Sequence, residues 1–179
     1  MKYKSITAPL TGNTVKGLKA GDMVLISGSI YTARDVAHRR LKVLLDEKKE
    51  LPFELSGSII YYAGPSPTKP GKIIGSAGPT TSGRMDPFTP ALLENGLKGM
   101  IGKGKRSCEV KKSIKKNGAV YFAATGGAGA LLSGKISACG LVAYPEIEPE
   151  SIYRLEVREF PAVVINDMYG NDYYEDGGK

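Results

Sequence analysis

Short apolar runs alternate with amphipathic stretches along most of the chain, which predicts strands that alternate with helices. The runs are short, rich in β-branched and aromatic residues, and bounded by Gly, Pro or polar residues. The predicted strands lie within 1–20 and at 23–27, 58–63, 72–74, 99–101, 119–124, 141–144, 153–158 and 161–166. Strands dominate both ends of the chain and alternate with helices in the middle, so the pattern predicts an α/β fold with a mixed sheet flanked by helices.

Four stretches have helical spacing together with start or stop signals. A Thr-Ala-Arg-Asp sequence resembles a capping box, an Asp-Pro pair is typical of a helix start, and a Ser precedes a stretch with basic residues at its end. The predicted helices follow 32–35 and stop at 51–52, run from 86–87 to 96, run from 107 to about 116, and run from 129 to about 138. We expect one domain over 1–179, with a frayed polar tail at 171–179.

Composition narrows the possible functions. Two cysteines and one histidine among 179 residues exclude a disulfide scaffold, and they exclude a thiolate zinc or iron–sulfur site held by this chain alone. Neither a long apolar run nor a leader pattern occurs, so we expect no membrane association and a cytoplasmic location. The formal charge of +7 favours an anionic partner.

The basic residues do not interleave with aromatic residues as they would on a nucleic-acid surface, so we expect no nucleic-acid partner. The densest cluster is interpreted as the polar side of the helix after Ser107. It contains Lys103, Lys105, Arg106, Lys111, Lys112, Lys115 and Lys116.

Three glycine-rich segments, 75–85, 102–106 and 125–129, each follow a predicted strand and precede a predicted helix. Such turns meet at the carboxyl ends of strands, where α/β sheets bind ligands and where helix N-termini attract anions. Arg34, Arg84 and Lys103 lie at equivalent positions of the chain, so together they predict a site for a small dicarboxylate. The alternative for each is a surface charge near a turn.

Other residues near these turns allow two interpretations. The hydroxyls of Thr80 and Thr81 could bind a ligand or move a proton, or they could stabilise the turn. His38 could line the same pocket, or it could orient Arg34. Residues 129–136 nearly match a phosphate-binding loop, but Ile136 replaces the hydroxyl residue, which argues against nucleotide binding.

Four motifs in order along nearly the whole chain carry a family resemblance. They read RDVAHRR at 34–40, GPTTSGRMD at 78–86, GKGKRS at 102–107 and TGGA at 125–128. Together they resemble the β subunit of class I fumarate hydratase and L-tartrate dehydratase. The resemblance implies a swivelling β/β/α fold and reversible hydration of fumarate to malate. It also implies assembly with an α subunit, as α2β2, around an intersubunit active site.

The resemblance also implies roles for individual residues. Thr80 matches the base that abstracts a proton from the substrate, activated by an acidic residue of the partner subunit. Arg34, Arg84 and Lys103 match the cations that bind the substrate carboxylates. Thr81 is also expected to bind substrate, and a one-residue misalignment would exchange its role with that of Thr80. Supporting positions are Asp35, His38, Gly83 and Asp86. Lys105 departs from the family pattern, in which a small polar residue is expected.

The resemblance also implies a 4Fe–4S cluster on the α subunit, where its open iron would act as a Lewis acid on the departing hydroxyl. No cofactor is expected to bind to this chain alone. Tartrate or another hydroxy-dicarboxylate is the alternative substrate. A non-catalytic anion- or RNA-binding module and a purely structural subunit are the alternatives of another class.

Overall fold

The computed structural model describes residues 3–124 and 129–177. Strands and helices alternate through the middle of the chain, as the hydrophobic pattern predicts. The strands are β1 (Lys4–Ala8), β2 (Met23–Thr32), β3 (Ile59–Tyr61), β4 (Gly99–Gly102), β5 (Val120–Ala123), β6 (Ile136–Ala143) and β7 (Ile152–Asn166). The helices are α1 (Gly12–Lys16), α2 (Asp35–Asp46), α3 (Thr89–Glu94), α4 (Cys108–Asn117), α5 (Gly129–Ser133) and α6 (Tyr173–Asp176), with 3-10 turns at Ser82–Met85 and Pro145–Ile147.

The seven strands form one mixed sheet in the order β1-β2-β3-β4-β5-β7-β6. Strands β1 to β5 are mutually parallel, and β7 runs antiparallel to β2, β5 and β6. Because β7 also pairs with β2, the strands β2, β3, β4, β5 and β7 close into a barrel-like arrangement. The α/β class with a mixed sheet flanked by helices is therefore confirmed.

The core divides into two layers because successive side chains of a strand point to opposite faces. In β3, Ile59 and Tyr61 belong to the cluster inside the closed sheet. Ile60 and Tyr62 belong to the cluster under the helices, where they share the core with Leu41 of α2. Strands buried on both faces explain why their sequences are nearly continuous apolar runs.

Two predicted strand boundaries are wrong. Gly28 does not end the second strand: β2 continues to Thr32, and Gly28 sits at a register shift with φ +102°, where a Cβ would lie 2.4 Å from the carbonyl oxygen of Ala8. The strands predicted at 153–158 and 161–166 are one continuous strand, β7. A third prediction also fails, since 72–74 is not a strand.

Three helix starts or ends also differ from the prediction. Thr32 caps no helix, since it is the buried end of β2 and its hydroxyl donates to the carbonyl of Ser151. Asp86 is not the cap of α3, which begins at Thr89. The small-residue helix ends at Ser133, and β6 begins at Ile136.

Residues 171–177, predicted as a frayed tail, instead fold back on the sheet. Asp172 caps α6 and accepts an ion pair from Lys111 at 3.1 Å, and Asp167 accepts from the side chain of Asn171 at 2.8 Å. Within the described residues, the helices are too short or too polar to cross a membrane.

Candidate active site

The loops after three adjacent parallel strands bring the predicted site residues together at one edge of the sheet. Arg34 follows β2, Tyr62 follows β3 and Lys103 follows β4, and these strands are neighbours in that order. The turn predicted after β5, at 125–128, lies outside the described residues. Ligands of α/β sheets and α/β barrels bind at the carboxyl ends of the strands, so the placement fits a site.

Backbone hydrogen bonds fix the segment that carries the two threonines. The amide of Thr80 donates to the carbonyl of Tyr62 at 2.7 Å, and its carbonyl accepts from the amide of Lys103 at 3.3 Å. Thr81 forms a parallel bridge with Lys103, whose carbonyl accepts from the amide of Ser82 at 2.9 Å. The backbone of Thr80 is therefore fixed by hydrogen bonds on both sides. Thr80 is half-buried, whereas Thr81 and Lys103 are exposed.

One carboxylate joins the two predicted arginines. Oδ1 of Asp35 lies 2.8 Å from Nε of Arg84, and Oδ2 of the same group lies 4.0 Å from Nε of Arg34. Arg84 is carried by the 3-10 turn that directly follows the threonines, where Arg84 and its neighbour Gly83 are exposed. The two guanidinium groups thus converge on Asp35, which links α2 to the threonine segment.

A second carboxylate, that of Glu150, lies at the start of α2. Its Oε2 accepts from the amide of Val36 at 2.8 Å, and its Oε1 lies 3.7 Å from Nη2 of Arg34. A carboxylate at a helix N-terminus is stabilised by the free amides and the helix dipole. No local pattern in the sequence indicates that Glu150 pairs with a helix more than 100 residues away.

Arg34 also makes a close approach to the loop after β3. A Cβ on Gly64 would lie 2.8 Å from Nη1 of Arg34 and 3.0 Å from the carbonyl oxygen of Pro149, so an added methyl group would displace the Arg34 side chain. Nε of Arg34 and Oδ2 of Asp35 are buried and have no hydrogen-bond partner among the described residues. These two atoms therefore keep unused hydrogen-bonding capacity at the site.

His38 is fully buried behind Arg34 rather than lining an open pocket. Its Nδ1 bonds to the carbonyl of Arg34 at 2.9 Å, and its ring packs edge-to-face against Tyr62 at 5.2 Å between centroids. Burial lowers the pKa of the imidazole to about 4, with Arg106 adding to the effect, so the ring is neutral at physiological pH. The structure therefore places His38 as a support of the Arg34 turn.

Asp86 is a half-buried anchor, although it does not cap the helix that follows it. Its Oδ1 accepts from Nε of Arg106 and its Oδ2 from the amide of Ser107, both at 2.7 Å. The interpretation of Arg106 as part of a basic helix surface is wrong, because its side chain has no exposed area. Only its place inside the GKGKRS motif could have pointed to a special role.

Comparisons with known proteins show which family the chain belongs to. Residues 3–177 match a family model described as Fumarase C-terminus. The chain is 42% identical over 152 residues to "Fumarate hydratase class I, anaerobic" of Escherichia coli, covering 84% of this chain and 28% of that protein. It is 39% identical over 176 residues to "Putative L(+)-tartrate dehydratase subunit beta" of Methanocaldococcus jannaschii, covering 95% of this chain and 90% of that protein. The chain thus spans less than a third of the E. coli relative and nearly all of the archaeal one.

Proposed function

This chain belongs to the Fumarase C-terminus family, and from that premise we propose that it is the β subunit of a hydro-lyase that reversibly hydrates fumarate to malate. The observation that carries this function is the convergence of Arg34 and Arg84 on one carboxylate, at the strand edge that also holds Thr80 and Lys103. A cytoplasmic α subunit is the proposed partner, with two copies of each chain.

Arg34, Arg84 and Lys103 bind the two carboxylates of the substrate in this proposal. A guanidinium group offers paired N–H donors that match a carboxylate, and Lys103 supplies a more mobile point charge. Removal of a proton from C3 of malate places negative charge on the adjacent carboxylate. Cations already held at that carboxylate stabilise the developing charge more than they stabilise the ground state.

Thr80 is the proposed proton acceptor at C3. Its backbone is fixed on both sides by Tyr62 and Lys103, so its position relative to the cations is set before a substrate arrives. A threonine hydroxyl is a weak base unless a neighbouring group takes up its proton. We therefore assign that second acceptor to an acidic residue of the α subunit. Thr81, exposed beside it, contacts substrate.

The residues of this chain do not fit a 4Fe–4S cluster. Its two cysteines lie apart in the fold, Cys108 exposed at the start of α4 and Cys139 in β6. Within residues 3–124 and 129–177, no group of three histidine, cysteine or carboxylate side chains could hold a metal ion. We therefore assign the cluster to the α subunit.

The test is a comparison of two arginine variants in the complex of this chain with its α subunit, prepared without oxygen. Arg84→Ala should lower kcat/KM for fumarate hydration by at least about 100-fold, since a desolvated charge pair with substrate is lost. Arg39→Ala is the matched control, because Arg39 is an exposed arginine of α2. Near-normal turnover of Arg84→Ala would refute the assignment.

Tartrate is the second candidate substrate, and the name of the archaeal relative, of which this chain covers 90%, favours it. The same complex should therefore be assayed with fumarate, malate and the stereoisomers of tartrate. A higher kcat/KM for one tartrate isomer than for malate would move the function to tartrate dehydration. The roles of the cations and of Thr80 would stay as proposed.

A further inference from the structure

Arg106 is an internal cation at the junction of two loops that carry site residues. Its side chain has no exposed area, and its guanidinium group is bonded along three directions. Nε donates to Asp86 at 2.7 Å, Nη2 to the hydroxyl of Thr89 at 2.8 Å and Nη1 to the hydroxyl of Tyr62 at 3.3 Å. A fork of this kind holds a geometry that a lysine cannot reproduce.

Two aromatic rings complete the enclosure of Arg106. Its guanidinium carbon lies 5.3 Å from the ring centre of Tyr62 and 4.9 Å from that of Tyr121. Burial works against the charge, but Tyr62 and Asp86 outweigh it, so the pKa of Arg106 is raised above its ordinary value. The group is therefore charged at every physiological pH.

The ion pair joins two different loops of the site. Asp86 ends the 3-10 turn that carries Arg84, and Arg106 lies three residues after Lys103. The second oxygen of Asp86 accepts from the amide of Ser107. The carboxylate therefore bonds to both a side chain and the backbone of the loop that carries Lys103. Tyr121 adds another link, because its hydroxyl pairs with that of Ser82 at 2.9 Å and donates to the carbonyl of Gly104 at 2.8 Å.

Stability alone does not explain a buried pair of this kind. Apolar residues of similar size often stabilise a core as well as a buried ion pair does. What the pair supplies is a single allowed spacing between the loops, because any shift leaves a charge buried without its partner. The spacing that it fixes lies between two exposed residues, Arg84 and Lys103, whose loops are also joined by the backbone bonds of Lys103 to Thr80 and Ser82.

We propose that Arg106 is a positioning residue, which clamps the Arg84 loop to the Lys103 loop at the spacing that a dicarboxylate requires. This role rests on the proposed function, since the spacing matters only if both loops contact one substrate. An error of about 1 Å in such a spacing can reduce a rate by roughly 100-fold.

The first measurement is hydrogen exchange, which reports on the clamp without any catalysis. In Arg106→Met, the amides of Ser82 and Lys103 should exchange at least about tenfold faster, because they bond across the joined loops. Amides in the β1–β2 pairing serve as the internal reference and should be unchanged. Unchanged exchange at Ser82 and Lys103 would overturn the clamp, whatever the enzyme does.

The second measurement is turnover in the complex with the α subunit, corrected for the folded and assembled fraction. Arg106→Met should lower kcat at least about tenfold and raise the isotope effect with malate deuterated at C3, because proton removal becomes slower than other steps. Arg106→Lys should recover part of kcat, since it keeps the charge near Asp86. Lys105→Met, an exposed neighbour, is the control.

The two measurements separate the possible failures. Faster local exchange with unchanged kcat and isotope effect would overturn the positioning role and leave Arg106 a structural residue. A wild-type complex that turns over neither fumarate nor tartrate would refute the proposed function instead. In that case hydrogen exchange still decides whether Arg106 holds the two loops together.

Discussion

Mild acid should destabilise this protein through one residue, His38. The ring is fully buried, its Nδ1 bonds to the carbonyl of Arg34, and its Nε2 has no partner among the described residues. Burial lowers the pKa of His38 from 6.5 to about 4. The unfolded chain therefore binds a proton in the range where the folded chain does not, so the free energy of unfolding falls as pH falls from 6.5 towards 4.

The size of the effect follows from that difference in pKa. The full loss is about 3 kcal/mol, and about 2 kcal/mol of it falls between about pH 7 and pH 5. For a chain of this length, 2 kcal/mol corresponds to a fall in Tm of roughly 4–8 °C.

The chain has a single histidine, so no other imidazole titrates in this range. Burial opposes ionisation of the Asp167 carboxyl, but hydrogen bonds from the side chain of Asn171 and from three backbone amides outweigh it and lower its pKa. The stability that Asp167 contributes is therefore lost only at lower pH.

Urea unfolding of the purified chain at several pH values measures this directly. His38→Phe is the matched variant, because the carbonyl of Arg34 keeps its bond from the backbone amide of residue 38, at 2.8 Å in the wild type. The variant should show a nearly flat free energy of unfolding from about pH 7 to pH 5. Equal slopes for wild type and variant over that range would refute the assignment to His38.

Three further predictions concern the site itself. Thr80→Val should lower kcat by about 100-fold or more and slow exchange of the C3 proton of malate with solvent, because the proton acceptor is lost. Thr81→Val should mainly raise KM, and the reverse pattern would make Thr81 the base. Asp35→Asn should lower kcat/KM about tenfold, because it releases the two guanidinium groups that Asp35 holds. The free energy of unfolding should change by less than about 1 kcal/mol because the ion pair is partly exposed, and a kcat/KM equal to that of the wild type would contradict the prediction. Gly64→Ala should raise KM for the dicarboxylate by displacing Arg34, with an unchanged far-UV spectrum, and an unaltered KM would show that Arg34 tolerates the added methyl group.

Local signals in the sequence predicted those parts of the fold whose causes are local. Ser107 caps α4, and its hydroxyl accepts from the amide of Val110 at 3.2 Å, as the position of a serine before an amphipathic run predicts. Strands β4 and β5 lie within a residue or two of their predicted bounds, because buried parallel strands are uniformly apolar. Gly28 misled the prediction, since a glycine at a bulge and a glycine at a strand end look the same in sequence.

The arginines of the site show where sequence reasoning stops. Arg34 and Arg84 could be selected because both lie in loops after predicted strands, and the structure brings them to one carboxylate although 72–74 is not a strand. Arg106 could not, because an arginine beside lysines has the composition of an exposed surface, and its burial depends on Thr89 and Tyr62 in other elements. Long-range partners of this kind are set by tertiary packing, which no local pattern encodes.

The balance of charge at the site argues that this chain holds part of an active site and not the whole of one. Arg34, Arg84 and Lys103 carry three positive charges, and Asp35 and Glu150 already pair with the two arginines. A dicarboxylate would add two negative charges to a group whose own sum is one positive charge. Binding by these residues alone would leave one negative charge uncompensated, at a cost that rises as water is excluded. That deficit is resolved by a second chain that closes the edge from solvent and brings more positive charge than the acidic residue assigned to the α subunit removes.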